Sequence, residues 1–146
     1  MKILHVNFSD TDGGAAIAVK RLHESLIENG IDSTLLVCES FDATTNTINI
    51  KKTSEAVKNL FKKSISRNLK YLFKTNNKNT HSINFFPSKI LKIINNFNAD
   101  VVNLHWIGNE TLSISDIKKI KSKIVWTMHD MWPFCGAEHY SENNRY

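Results

Sequence analysis

The chain has few of the features that mark secreted or membrane-spanning proteins. Its 146 residues include only two cysteines, Cys38 and Cys135, which excludes a disulfide framework and suits a reducing cytoplasm. No stretch approaches the roughly 18 consecutive apolar residues of a membrane-spanning helix. His5 and Asn7 interrupt the apolar start too early for a secretory signal. We therefore expect a cytoplasmic protein.

Proline and glycine are also scarce, with two prolines and five glycines in the whole chain. No low-complexity linker and no internal repeat divides the sequence. The hydrophobic fraction of 41% and the charged fraction of 23% are ordinary for a globular protein. The length is enough for one domain with a substantial core, so we expect residues 1–146 to form a single domain.

Positive charge is concentrated in one part of the chain. Residues 51–78 contain nine Lys or Arg and one acid, whereas the remaining residues have a balance of −3. Within residues 54–73 the apolar side chains recur three or four apart, which predicts an amphipathic helix. Two interpretations stay open. The helix docks on a sheet with its basic residues in solvent, or it presents them to anionic lipid at the inner face of the plasma membrane at ~1 kcal/mol per charge. The basic residues concerned are Lys58, Lys62, Lys63, Arg67 and Lys70.

Nucleic-acid binding is disfavoured as an explanation of this basic segment. It carries only Phe61, Tyr71 and Phe73 as aromatic residues, and two of these fit the apolar stripe of the helix. No recognised nucleic-acid motif accompanies them. We therefore expect no nucleic-acid partner.

Strand and helix patterns alternate along the sequence. The first unit is a strand at "KILHVNF", a loop at "SDTDGG", a helix that ends at Gly30, and a strand at "STLLVCE". Later elements are a short strand at "TINI", a helix at "SKILKIINNF", a strand at "ADVVNLHWI", a serine-capped helix at "SISDIKKIKS" and a strand at "KIVWTM". This alternation predicts an α/β fold with a Rossmann-like, doubly wound parallel sheet.

The glycine pair between the first strand and the first helix is a candidate anion site. Gly13 and Gly14 let the backbone approach a ligand closely, and a helix N-terminus offers free N–H groups. The dipole contributes only ~0.3–1 kcal/mol. A tight turn without a ligand explains the same residues equally well.

Polar and aromatic side chains follow two later strands. His105 and Trp106 end one strand, and His129 and Asp130 end the last. Ligands of open α/β sheets bind beyond the carboxyl ends of the strands, so these groups and the glycine pair are expected to line one rim. His129 would donate a hydrogen bond to a substrate hydroxyl or accept one from it, and Trp132 would suit the apolar face of a sugar ring. Core packing of the aromatics is the alternative.

A metal site is not expected. His129, Cys135 and His139 are the nearest approach to a ligand set, and their spacing matches no standard zinc pattern.

Three stretches carry a resemblance to a known family. They are "MKILHVNFSDTDGGAAIAVKRLHESLIENGIDSTLLV", "ADVVNLHWIG" and "IVWTMHDMWPFCGAEHY". Together they resemble the N-terminal domain of family 4 glycosyltransferases, in particular the colanic-acid-type enzymes that build bacterial surface polysaccharide.

The resemblance implies one half of a two-domain GT-B architecture. Such enzymes transfer a sugar, with retention of configuration, from a nucleotide-sugar co-substrate to a glycan or lipid-linked acceptor, usually without a bound metal. It implies that Gly13 and Gly14 approach the donor phosphates. His129, which orients the donor sugar, and the adjacent Asp130 are the expected catalytic residues. His105, Trp106 and Trp132 are then expected in the acceptor or sugar pocket. The C-terminal donor-binding domain is expected to be absent, so we expect no turnover by this chain alone.

A function from another class explains the same features. A non-catalytic Rossmann-like module would hold a nucleotide or a glycan at the same rim without transferring it.

Overall fold

A computed structural model of the chain describes residues 1–41, 45–50 and 81–140. The predicted basic helix at 54–73 lies outside the described residues, and so do the five basic side chains assigned to a membrane surface. The elements of the described part, in chain order, are β1 (Lys2–Ser9), α1 (Gly13–Glu28), β2 (Asp32–Glu39), β3 (Thr47–Asn49), α2 (Ile90–Phe97), β4 (Val101–Leu104), α3 (Ile114–Ile117), β5 (Lys123–Trp126) and a 3₁₀ turn (Trp132–Phe134).

The strands form one five-stranded sheet in the order β3-β2-β1-β4-β5, and all neighbouring pairs are parallel. The structure therefore confirms the predicted α/β class and a Rossmann-like parallel sheet. Because β1 lies at its centre, seven of its eight residues are buried, as expected for a strand covered on both faces. The carboxyl ends of all strands meet at one edge of the sheet, which is where the candidate residues lie.

Local sequence chemistry explains where the helices begin and end. Gly30 has a positive φ of 75°, which a glycine adopts without strain, directly after the α1 cap. Ser113 caps α3 by accepting a hydrogen bond from the Asp116 N–H, and the Asp116 carboxylate accepts in return from the Ser113 N–H. Both ends match the sequence-based predictions.

One face of the sheet is the apolar core. Leu4 and Val6 of β1 pack there with Leu36 of β2 and with Val102 and Leu104 of β4, and each is at most 1% exposed. The helix α2 and the indole of Trp132 cover the same cluster. Hydrophobic burial on this face is the main source of stability, at roughly 25 cal/mol per Å² of apolar surface.

The opposite face carries a polar stripe that α1 covers. Side chains two residues apart on a strand share a face, and so do residues paired across neighbouring strands. His5 pairs with Asn103 of β4, which accepts a hydrogen bond from the Thr127 hydroxyl at 3.0 Å. His105, directly after β4, and His129, in the segment after β5, continue the stripe to the carboxyl edge.

Candidate functional site

A cavity of about 510 Å³ opens at the carboxyl edge of the sheet, and we refer to it as the strand-end cavity. Its lining comes from the end of β1, the first turn of α1 and the segments that follow β4 and β5. The volume lies within the usual range of small-molecule sites, ~300–1,000 Å³. The lining residues with the clearest chemistry are Gly13, Gly14, Trp106, His129, Asp130 and His139.

The first turn of α1 forms one wall of the strand-end cavity. Gly13 has a φ of +82°, a left-handed conformation that favours glycine. A Cβ placed on Gly13 or Gly14 would meet no atom within 4 Å, so this wall is open to a ligand. Asp12 makes no side-chain cap, and the first turn carries no acidic residue. Because the first N–H groups of a helix lack intrahelical acceptors, this wall offers donors to an anion.

A row of three imidazoles runs from the buried sheet to the cavity, and we call it the histidine row (His5, His105 and His129). Nδ1 of His5 lies 3.1 Å from Nε2 of His105, and Nδ1 of His105 lies 3.0 Å from Nε2 of His129. His5 and His105 are buried, whereas His129 is half-buried and lines the cavity. The rings of His105 and His129 stack with centroids 5.3 Å apart.

Burial keeps the histidine row neutral. Desolvation, with a smaller repulsion from His23, lowers the pKa of His5 to about 4. Desolvation, followed by repulsion from His5 and His129, lowers the pKa of His105 to about 3. Burial also lowers the pKa of His129, which the Asp130 charge partly opposes. The cavity therefore meets an uncharged imidazole at neutral pH.

The Asp130 carboxylate holds the aromatic wall of the cavity in place. Its Oδ2 accepts hydrogen bonds from the Trp106 indole N–H at 2.7 Å and from Nδ1 of His139. Its Oδ1 accepts from the Trp132 backbone N–H at 3.0 Å. Trp106 stacks on the His139 ring with centroids 5.1 Å apart and meets the Phe8 ring edge-on at 5.6 Å. Asp130 is thus engaged with protein groups on both oxygens.

Ser82, His139 and Asp130 have the connectivity of a hydrolase triad. Nε2 of His139 lies 2.8 Å from the Ser82 hydroxyl, and its Nδ1 meets Asp130. The Ser82 hydroxyl is buried, does not line the strand-end cavity, and accepts a hydrogen bond from the Asn109 N–H at 3.1 Å. A nucleophile must reach its substrate. We therefore interpret this set as a polar support for the cavity wall.

The structure brings most of the sequence-predicted residues to one cavity. Gly13 and Gly14 line it together with Trp106, His129 and Asp130. These residues come from three separate segments, as expected for a site at the carboxyl edge of a parallel sheet.

Two of the predicted pocket residues, His105 and Trp132, do not line the strand-end cavity. His105 is 3% exposed and stands behind His129, because the alternation of β4 directs it under α1. Trp132 is 4% exposed and donates its indole N–H to the Ser82 carbonyl at 2.7 Å. Both border a crevice of about 10 Å³, which is about the space of one water molecule.

Sequence reasoning did not assign His5 or His139 to the site. His5 was predicted only as a polar interruption of a strand. The available signal was the two-residue spacing of polar side chains in "HVN", "NLH" and "TMH", which places each set on one face. His139 has no such signal, because it reaches Asp130 through an irregular segment that pairs with His81.

Within residues 1–41, 45–50 and 81–140, no group of three His, Cys, Asp or Glu side chains could hold a metal ion. In the same residues no helix has both the length and the apolar character needed to cross a membrane. Comparison with protein families, curated proteins and solved structures gives no match for this chain.

Proposed function

We propose that this chain is the acceptor-side half of a retaining glycosyltransferase of GT-B architecture. It would act in the transfer of a sugar from a nucleotide-sugar donor to a glycan or lipid-linked acceptor in surface polysaccharide synthesis. One observation carries the proposal. A helix N-terminus, a neutral imidazole and an indole face the same 510 Å³ cavity at the strand ends.

These groups match the charges that develop during sugar transfer. The leaving diphosphate gains negative charge, which the N–H groups at Gly13 and Gly14 would stabilise. The sugar requires positioning by uncharged hydrogen-bonding groups, and His129 is neutral because its pKa is lowered. Trp106, with Phe8 and the exposed ring of Tyr140, offers apolar surface to a sugar ring.

The proposal includes a second, donor-binding domain as a partner. The strand-end cavity is open, so by itself it neither clamps a nucleotide nor excludes water from the reacting atoms. We therefore expect weak binding and no turnover by residues 1–146 alone. Sugar transfer by this purified chain would contradict that expectation.

A contact with an anionic membrane surface through residues 54–73 is a separate part of the proposal. It rests on the charge pattern of that segment. Co-sedimentation with vesicles should rise with anionic lipid content and fall with salt, and insensitivity to both would remove this part alone.

The proposal is tested by calorimetric titration with UDP-glucose, UDP-N-acetylglucosamine and GDP-mannose. At least one of the three should bind at millimolar affinity or better. Gly14→Asp adds a negative charge at the helix N-terminus, at a position where an added Cβ meets no atom within 4 Å, so it should weaken that binding by several fold. Ile17→Asp is the matched control, because this exposed position of α1 does not line the cavity.

Each outcome has a distinct meaning. Equal weakening by both variants would indicate a general charge effect and contradict the assignment of the helix N-terminus. No binding by any of the three donors would remove the proposed donor contact. Binding that supports no transfer when a donor-binding domain is supplied would favour the non-catalytic module.

A further inference from the structure

The inner end of the histidine row is a buried nitrogen without a partner. Nε2 of His5 makes no hydrogen bond within the described part of the chain. At the outer end, Nε2 of His129 is engaged by His105, which leaves Nδ1 of His129 as its only ring nitrogen for a ligand. The row therefore connects a buried terminus to a group that faces the cavity.

Hydrogen bonding couples the tautomers of the three rings. A neutral imidazole has one donor and one acceptor nitrogen, so each contact in the row needs a hydrogen on one side only. If His5 donates to His105, then His105 donates to His129. If His129 donates inward, the whole row reverses. Only two arrangements satisfy both contacts, and they leave His129 with opposite groups toward the cavity.

The buried end decides between the two arrangements. His23 cannot serve His5, because its Nε2 donates to the Thr45 carbonyl at 2.9 Å and its Nδ1 pairs with the Ser33 hydroxyl at 2.7 Å. Nε2 of His5 is therefore either a buried N–H without an acceptor or a buried lone pair without a donor. Among buried backbone groups, unpaired N–H donors are the rarer case. The same preference places the hydrogen of His5 on Nδ1.

The geometry points to His5 and His105 as positioning residues that fix His129 in its Nδ1–H tautomer, so that the cavity is offered an N–H donor. The atom that this donor recognises is an oxygen acceptor, such as a hydroxyl or carbonyl oxygen of an uncharged sugar. This inference deepens the proposed function and rests on it for the identity of the ligand. The tautomer of His129 itself does not depend on any ligand.

The chemistry of the row agrees with positioning and not with proton conduction. The lowered pKa of each ring keeps it neutral at physiological pH, so both nitrogens of each ring retain distinct roles. A row of hydrogen bonds that conducts protons would need a partner at both ends, whereas the histidine row has no partner at Nε2 of His5 within the described residues. The buried rings therefore orient and polarise His129.

The experiment is long-range ¹H–¹⁵N correlation NMR of the ligand-free chain at neutral pH, which separates protonated from bare ring nitrogens. The expected result is a protonated Nδ1 and a bare Nε2 for each ring of the histidine row. A bare Nδ1 on His129 would overturn the inference, since the row would then run inward. Because no ligand is present, this result is independent of a failure to bind nucleotide-sugars.

Two matched variants at position 105 test whether the row holds the tautomer. His105→Asn keeps an N–H donor near the former Nδ1 and should keep His129 in the Nδ1–H form. His105→Phe preserves a planar, buried ring but donates nothing, so His129 should become a mixture of both tautomers. A single unchanged tautomer in H105F would show that His105 only packs. If H105F does not fold, the wild-type spectrum alone still decides the direction of the row.

Discussion

Nδ1 of His105 lies 3.0 Å from Nε2 of His129, so a residue that is only 3% exposed directly contacts a residue that lines the strand-end cavity. In our proposal, this contact places the hydrogen of His129 on Nδ1, the nitrogen that His105 leaves for a ligand. The fold buries His5 and His105, and this burial lowers the pKa of each ring and keeps it neutral. The same two rings should therefore affect both the stability of the fold and the state of His129.

The free energy of unfolding should fall as the pH drops below 6.5, the ordinary histidine value. The folded pKa of His5 is about 4 and that of His105 is about 3, so the unfolded state binds more protons in this window. The free energy of unfolding therefore has its full value above pH 6.5. It decreases as the pH falls from 6.5 toward the folded pKa values of His5 and His105. Each ring contributes at most ~1.4 kcal/mol per pH unit.

Urea unfolding at a series of pH values measures this dependence. Within the described residues, His23 on α1 and the half-buried His129 are the titratable neighbours whose charges act on the pair. The variant H105F should show a shallower slope, because one of the two rings no longer takes up a proton on unfolding. A free energy that stays constant between neutral and mildly acidic pH would contradict the buried, neutral row.

The two glycines of the α1 turn should respond differently to alanine. Gly13→Ala forces a side chain into a φ of +82° and should cost about 1–2 kcal/mol of stability. Gly14 has no positive φ, and an added Cβ would meet no atom within 4 Å. Gly14→Ala should therefore leave the free energy of unfolding unchanged or raise it by up to ~1 kcal/mol. Chemical denaturation of both variants provides the comparison. Equal effects would mean that the turn is not held in this conformation.

Asp130→Asn should destabilise the chain by about 1–3 kcal/mol. An amide has one acceptor oxygen, whereas the carboxylate accepts from Trp106 and His139 on one oxygen and from the Trp132 N–H on the other. In either orientation, the NH₂ group of the amide therefore faces an N–H donor of the protein. Near-ultraviolet circular dichroism should also report the loss of the Trp106 environment.

Asp12→Asn is the matched control for that substitution. Asp12 also lines the strand-end cavity, but its side chain makes no cap hydrogen bond and is exposed. Its replacement should change the free energy of unfolding by less than ~0.5 kcal/mol. Equal losses in the two variants would argue against the hydrogen-bonded role of Asp130.

Ser82 should not behave as a nucleophile despite its contact with His139. Ser82 is 4% exposed and does not line the cavity, so a fluorophosphonate should leave the intact mass of the protein unchanged. A serine hydrolase treated in parallel confirms that the reagent is active. A phosphonylated Ser82, identified by peptide mass spectrometry, would revive the hydrolase interpretation of this triad.

The architecture could be predicted because each strand and helix carries its own local signal. The buried run of β1, Gly30 after α1 and Ser113 before α3 are all readable from neighbouring residues. The site was predictable only in part. Gly13 and His129 lie in the short segments that follow β1 and β5, so topology places them at the shared edge.

The remaining site residues depend on long-range packing. The two-residue alternation of β4 places His105 on the same face as Asn103, but local sequence does not reveal that α1 covers this face. Trp132 became a core residue because the 3₁₀ turn folds its indole back onto Ser82. His139 joins Asp130 through the pairing of two irregular segments, and only the folded chain brings them together.

The most direct test of the proposed function is a ¹H–¹⁵N NMR titration of the chain with the nucleotide-sugar that binds best. The account predicts that the Gly13 and Gly14 amides and the His129 ring shift together along one binding curve, while Ile17 on the exposed face of α1 stays unchanged. Shifts confined to residues outside the strand-end cavity, or glycine and histidine curves with different midpoints, would contradict a single sugar-nucleotide site.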